Sequence, residues 1–178
     1  MFGRGLRTLS IASVVLITGA FALVFLYAPN DADQGFVQKI FYLHVPLAIV
    51  ALGGFVAGGV FAIQYLRTGD RGHDLRSYVA IHLSLILGLG VLANAGIAVI
   101  GTLVGALAVQ SRARELIAPL LSLPLLVPLL IASARATSPL LAEGGAQALE
   151  GRWLGVLGLY DLVFGLLALA VFDFLLED

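Results

Sequence analysis

Few residues of this sequence could do chemistry, and His44 stands out among them. It lies in the string Lys39-Ile-Phe-Tyr-Leu-His-Val-Pro46, at the mouth of an apolar run and beside the aromatic residues Phe41 and Tyr42. An imidazole is a usual axial ligand for haem iron, and an aromatic rim suits a porphyrin face. The competing reading is a boundary residue, which a lone interfacial histidine more often is. One histidine also supplies one axial bond, not the two of a six-coordinate site. His82 reads as a packing or boundary residue, and His73, in an arginine-rich stretch, as solvated. Asp161 sits eight residues into a later apolar run, about 12 Å deep at 1.5 Å per residue. A carboxylate there should face the bundle interior, pair with a cation or be protonated, and it either has a functional or subunit-contact role or lies near the headgroups. No paired carboxylates, histidine-rich metal cluster or Ser/Lys pair shares a depth, so neither an enzyme nor a metal site is expected.

Composition dictates what must hold these residues. Of 178 residues, 60% are hydrophobic and 12% charged, against about 45–50% and about 25% in soluble domains. The excess apolar surface must face lipid. The absence of cysteine excludes a disulfide scaffold, a zinc–thiolate site and a catalytic thiol. A net charge of -1 offers no attraction to nucleic acid. Because a bilayer core takes about 20 apolar residues per helix, five runs qualify: Leu9–Ala28, Ile40–Leu66, Tyr78–Ala108, Leu116–Ala134 and Trp153–Leu176. Their continuous apolarity predicts helices, not barrel strands. The fold class is therefore an all-α polytopic transmembrane bundle of about five spans. The first run is too long for a secretory signal core and reads as a retained span.

Arg4 and Arg7 place the N-terminus in the cytoplasm, and Arg67, Arg71 and Arg76 mark a cytoplasmic second loop. The first loop, with Asp31, Asp33 and Lys39, is then external. The second half is not oriented by its charges. Five alternating spans put Arg112 and Arg114 outside and Arg135 and Arg152 inside, whereas a re-entrant third run reverses both. Gly54 and Gly58, like Gly101 and Gly105, form GxxxG pairs that let helices approach closely. Pro119, Pro124 and Pro128 predict a kinked or broken fourth helix.

The stretch Gln34-Gly-Phe-Val-Gln-Lys-Ile-Phe-Tyr-Leu-His-Val-Pro-Leu-Ala48, within residues 5–92, resembles CcmC, the haem-handling membrane protein of cytochrome c maturation. The likeness includes Arg67–Arg76 and Ser77-Tyr-Val-Ala-Ile-His-Leu-Ser-Leu-Ile-Leu-Gly88. It implies that His44 is an external axial ligand to haem. CcmC continues into a tryptophan-rich external segment and a second ligating histidine; here the sole tryptophan is Trp153 and no histidine follows His82. From about residue 93 the chain instead resembles the C-terminal half of CcmB, the transmembrane subunit of the associated ABC exporter. Gly101–Ala108, Ser111–Leu116, Leu123–Leu130, Tyr160–Phe164 and Phe172–Asp178 carry that likeness.

The two resemblances imply a CcmC-like part over 1–92 and a CcmB-like part over 93–178, fused near Val91–Asn94. They imply a haem-handling or haem-export subunit of the bacterial inner membrane, N-terminus cytoplasmic. The implied partners are a CcmA-type ATPase, CcmB- and CcmC-type subunits and the haem chaperone CcmE. Haem is the implied ligand, weakened by the missing tryptophan-rich segment. Arg112, Arg114 and Glu115 would face the ATPase. The alternative is an ABC-exporter transmembrane subunit, or a non-functional fusion fragment, without a haem site. It needs the Ser111–Glu115 loop in the cytoplasm, which a single crossing of the third run would not give.

Overall fold

Backbone N–H and C=O groups find no water in lipid, so long apolar runs satisfy them internally as helices. A computed structural model describes residues 3–29, 38–109, 114–142 and 147–176, and its regular elements are all helical. They are α1 (Arg4–Ala22) with a π-helical turn (Leu23–Tyr27), α2 (Gln38–Thr68), α3 (Arg71–Val109), α4 (Arg114–Thr137) with a 3-10 turn (Ser138–Leu141), and α5 (Gly151–Leu176). Five segments are long and apolar enough to cross a membrane: Gly5–Tyr27, Phe41–Thr68, Arg71–Ala108, Leu116–Leu141 and Gly151–Val171. The expected all-α class, with five helices long and apolar enough to span a membrane, is thus what the described residues form.

The chain divides into two compact units, Met1–Leu43 and His44–Asp178. In the first, α1 exposes its large apolar side chains along its length, among them Leu9, Leu16 and Ile17, and the π-helical turn exposes Leu26. Phe21 stacks on Phe25 with centroids 6.1 Å apart. Lys39 is buried in the first turn of α2 and donates from Nζ to the Phe25 carbonyl at 3.0 Å. The amine of Lys39 therefore serves the helix end, and does not stand free in an external loop as its charge suggested.

In the second unit, α3 packs against α4 and α5. Leu89, Ile100, Val104, Leu129, Ala132, Ala136 and Leu157 form the core between them, flanked by Trp153, Tyr160 and Phe164. In lipid such packing is held by van der Waals fit and polar contacts, because apolar burial gains little there.

The arginine-rich loop expected over Arg67–Arg76 shrinks to two residues. Gly69, at φ +69°, ends α2 and donates to the Tyr65 carbonyl at 2.8 Å. Asp70 then caps α3, accepting at Oδ1 from the Gly72 N–H at 2.9 Å. Arg71 and Arg76 consequently ride on the first turns of α3. A left-handed glycine followed by an N-capping aspartate reverses the chain without a loop.

Among the described residues, only the first of the two GxxxG pairs has another helix against it. A Cβ at Gly54 would strike Ser84 Oγ, and one at Gly58 would lie 2.5 Å from Ile81 Cγ1. Ser77 Oγ donates to the Gly58 carbonyl at 2.9 Å. Gly101 and Gly105 meet nothing within 4 Å.

Both the third and the fourth run form continuous helices, so the re-entrant alternative for the third and the broken form of the fourth are not what the chain adopts. α3 runs unbroken through Gly88, Gly90, Asn94, Gly96, Gly101 and Gly105 for 39 residues, about 58 Å. It contains no re-entrant turn. α4 remains one helix through Pro119, Pro124 and Pro128, since each proline costs a single ladder bond and the neighbouring helices hold the segment.

Candidate functional site

His44 lies on α2, half-buried and two residues ahead of Pro46. Pro46 has no N–H to offer the Tyr42 carbonyl. Phe41 and Tyr42 stand on the same helix, 64% and 41% exposed; they close the first unit, and His44 opens the second. His44 thus has aromatic sequence neighbours that remain largely open.

His82 cannot act with it. A Cβ at Gly90 would contact Leu47, three residues past His44, at 3.5 Å. The level of His44 on α3 therefore lies beyond Gly90, and His82 is at least eight residues, about 12 Å, away. His82 is half-buried and stacks on Tyr78 with centroids 5.6 Å apart. It borders a cavity of about 390 Å³ with Leu85, Leu140 and Leu149.

His73, expected to be solvated, is half-buried. Its ring stacks on Phe61 at 6.3 Å, Nε2 approaches the Asp70 carboxylate at 3.9 Å, and Nδ1 is buried without a hydrogen-bond partner among the described residues. The reason is the early start of α3, which turns this side chain toward α2.

Asp161 lies deeper than the sequence suggested. α5 begins at Gly151, so Asp161 is ten residues, about 15 Å, into the helix. Both carboxylate oxygens are buried and have no hydrogen-bond partner among the described residues. Gly96 on α3 makes the room, since a Cβ there would strike Asp161 Oδ1. The other side of Asp161 lines an apolar groove of about 600 Å³ with Ala98, Val99, Thr102, Leu162, Gly165, Leu166, Ala168 and Leu169.

Arg112 lies outside the described residues, while Arg114 and Glu115 open α4. No group of three or more His, Asp or Glu residues among the described residues could hold a metal ion.

The sequence did not point to Tyr160, whose hydroxyl donates to the Leu125 carbonyl on α4. The available signal was its depth, because a buried phenol needs an acceptor.

Five helices long and apolar enough to span a membrane, an aromatic-flanked histidine and a carboxylate within α5 are features many carriers could share. The deciding observation is that the family described as CcmB protein matches residues 9–174. The chain belongs to the CcmB family. The match to CcmB extends across the expected junction near Val91–Asn94. The resemblance to a second family is also found. A segment of 54 residues is 44% identical to heme exporter protein C of Escherichia coli (strain K12), covering 30% of this chain and 22% of that relative. The heme exporter protein C of Shigella flexneri gives the same identity and coverage. The chain thus spans about a fifth of the length of these curated relatives. No solved structure matches this CcmB-family chain.

Proposed function

We propose that this chain is a non-enzymatic haem-handling subunit of a haem exporter in cytochrome c maturation, working in the bacterial inner membrane with its N-terminus in the cytoplasm. The observation that carries this reading is the CcmB family match over residues 9–174 on a five-span bundle, joined to the likeness to heme exporter protein C. Haem is the cargo. His44 binds its iron as a single axial ligand, and Phe41 and Tyr42 offer apolar surface to the porphyrin. A half-buried imidazole with open aromatic neighbours fits such transient binding better than a closed, two-ligand pocket does. The chain joins a CcmC-like part (1–92) to a CcmB-like part (93–178). It assembles with a CcmA-type ATPase and CcmB- and CcmC-type subunits, and passes haem toward a CcmE-type chaperone.

Absorbance spectroscopy of the full chain purified with and without added haem tests this. Wild type should develop a Soret band that His44→Ala loses; identical bands in the two proteins would remove His44.

A second reading is favoured by the length of the CcmB match alone: an ABC-exporter transmembrane subunit with no haem site, Arg112, Arg114 and Glu115 meeting the ATPase. It requires the loop before α4 to be cytoplasmic. Labelling of Ser111→Cys from the external face would defeat it.

A further inference from the structure

Two spans end at one cavity of about 660 Å³. Its wall is built from the last turn of α4, the 3-10 turn, residues 147 and 150, and the first turn of α5. Arg135 lies six residues before Leu141, the last of its span, and Trp153 is the third residue of the span Gly151–Val171. Both line the cavity. Tryptophan is the residue that marks the headgroup level of a bilayer.

The charges on this wall do not balance. Arg135 is exposed and forms no ion pair or hydrogen bond among the described residues. Glu150, the carboxylate of the described wall, is paired with Arg152 at 3.4 Å. Ser138, Gln147 and Trp153 carry neutral O–H and N–H donors. An unpaired guanidinium among neutral donors suits a singly charged phosphate ester. The wall is also apolar, and Leu141 on it is 66% exposed. A soluble phosphate has no use for that surface, whereas a lipid has acyl chains to lay along it. Basic pockets at helix ends are suited to anionic headgroups.

We propose that this cavity binds the headgroup of an anionic phospholipid, Arg135 holding the phosphate and an acyl chain lying along Leu141. Phosphatidylcholine carries the same phosphate, but its own ammonium offsets the charge. The site does not involve His44, and its failure would leave the haem reading untouched.

Trp153 is the sole tryptophan, so its fluorescence reports on this cavity. The full chain is placed in phosphatidylcholine vesicles that contain a minor share of lipid with brominated acyl chains, either phosphatidylglycerol or phosphatidylcholine. Brominated phosphatidylglycerol should quench wild type with about fivefold higher affinity than brominated phosphatidylcholine. Arg135→Gln should lose that preference, and Arg135→Lys should keep part of it. Arg67→Gln, which removes a cation that does not line the cavity, should keep it whole. Equal quenching of wild type by the two lipids, as for an unselective annulus, would overturn the proposal. So would an undiminished preference in Arg135→Gln. Loss of the preference when inorganic phosphate is added at constant ionic strength would also overturn it, by giving the cavity to a soluble phosphate.

Discussion

The Tyr160 hydroxyl of α5 donates to the main-chain carbonyl of Leu125 on α4, inside the stretch bounded by Pro124 and Pro128. Tyr160 also packs on Phe164 with ring centroids 4.5 Å apart, so the phenol is held where it can reach across. One side chain thereby ties the proline-bearing helix to the helix that carries Asp161. Tyr160→Phe keeps the ring and removes only this bond. It should lower stability by about 1 kcal/mol, in the range measured for interhelical bonds in membranes. The midpoint of unfolding in mixed detergent micelles reads the change, and an unaltered midpoint would show that the bond contributes nothing.

The two GxxxG pairs should respond in opposite directions. Gly58→Ala places a methyl 2.5 Å from Ile81 Cγ1 and should cost about 1–3 kcal/mol by overpacking. Adding Ile81→Ala should recover part of that loss, a coupling of about 0.5–3 kcal/mol between touching residues. Gly105→Ala meets open space and should be neutral or stabilising by up to about 1 kcal/mol, since alanine favours helix. Thermal unfolding of the four proteins in one detergent distinguishes these outcomes.

Gly96→Ala tests the niche that admits Asp161. The new methyl would meet Asp161 Oδ1 and, at 2.6 Å, Leu129 Cδ1. A loss of about 1–3 kcal/mol is expected. Asp161→Asn, of the same size, should not restore it, whereas Leu129→Ala should restore part. Full rescue by Asp161→Asn would mean that charge, not space, governs the contact.

Tyr78, His82, Leu140 and Gln147 line one cavity, so single crossings by α3 and α4 predict that the turn at Asp70 and the segment before α5 lie on one side of the membrane. The chain has no cysteine, so single substitutions can be labelled cleanly. Asp70→Cys and Gln147→Cys should react with an impermeant maleimide from the same face of sealed vesicles. Reaction from opposite faces would contradict the single crossing.

Spans and fold class were legible because hydropathy is a local property: a run such as Trp153–Leu176 announces its helix without reference to any neighbour. Tertiary facts were not. The pairs Gly54/Gly58 and Gly101/Gly105 look alike in sequence, yet only the first has a helix against it. The turn at Gly69 and Asp70 was hidden because three nearby arginines read as a loop, and nothing local says that a helix starts at Arg71. Asp161 was visible as a polar residue in an apolar run, but its distance from the start of the helix depended on where α5 begins. Its fit against Gly96 depended on a contact 65 positions away in sequence. His44 was noticed through its aromatic neighbours, and its partial burial agrees with either role considered for it.

The connection between α2 and α3 bears on how the chain enters the membrane. With only Gly69 and Asp70 between them, neither helix can be released into lipid facing the wrong way while the other faces correctly. The insertion machinery must therefore handle the two as one antiparallel pair. A topological error at this point would invert both together, and a single added or lost charge near the turn acts on two spans at once.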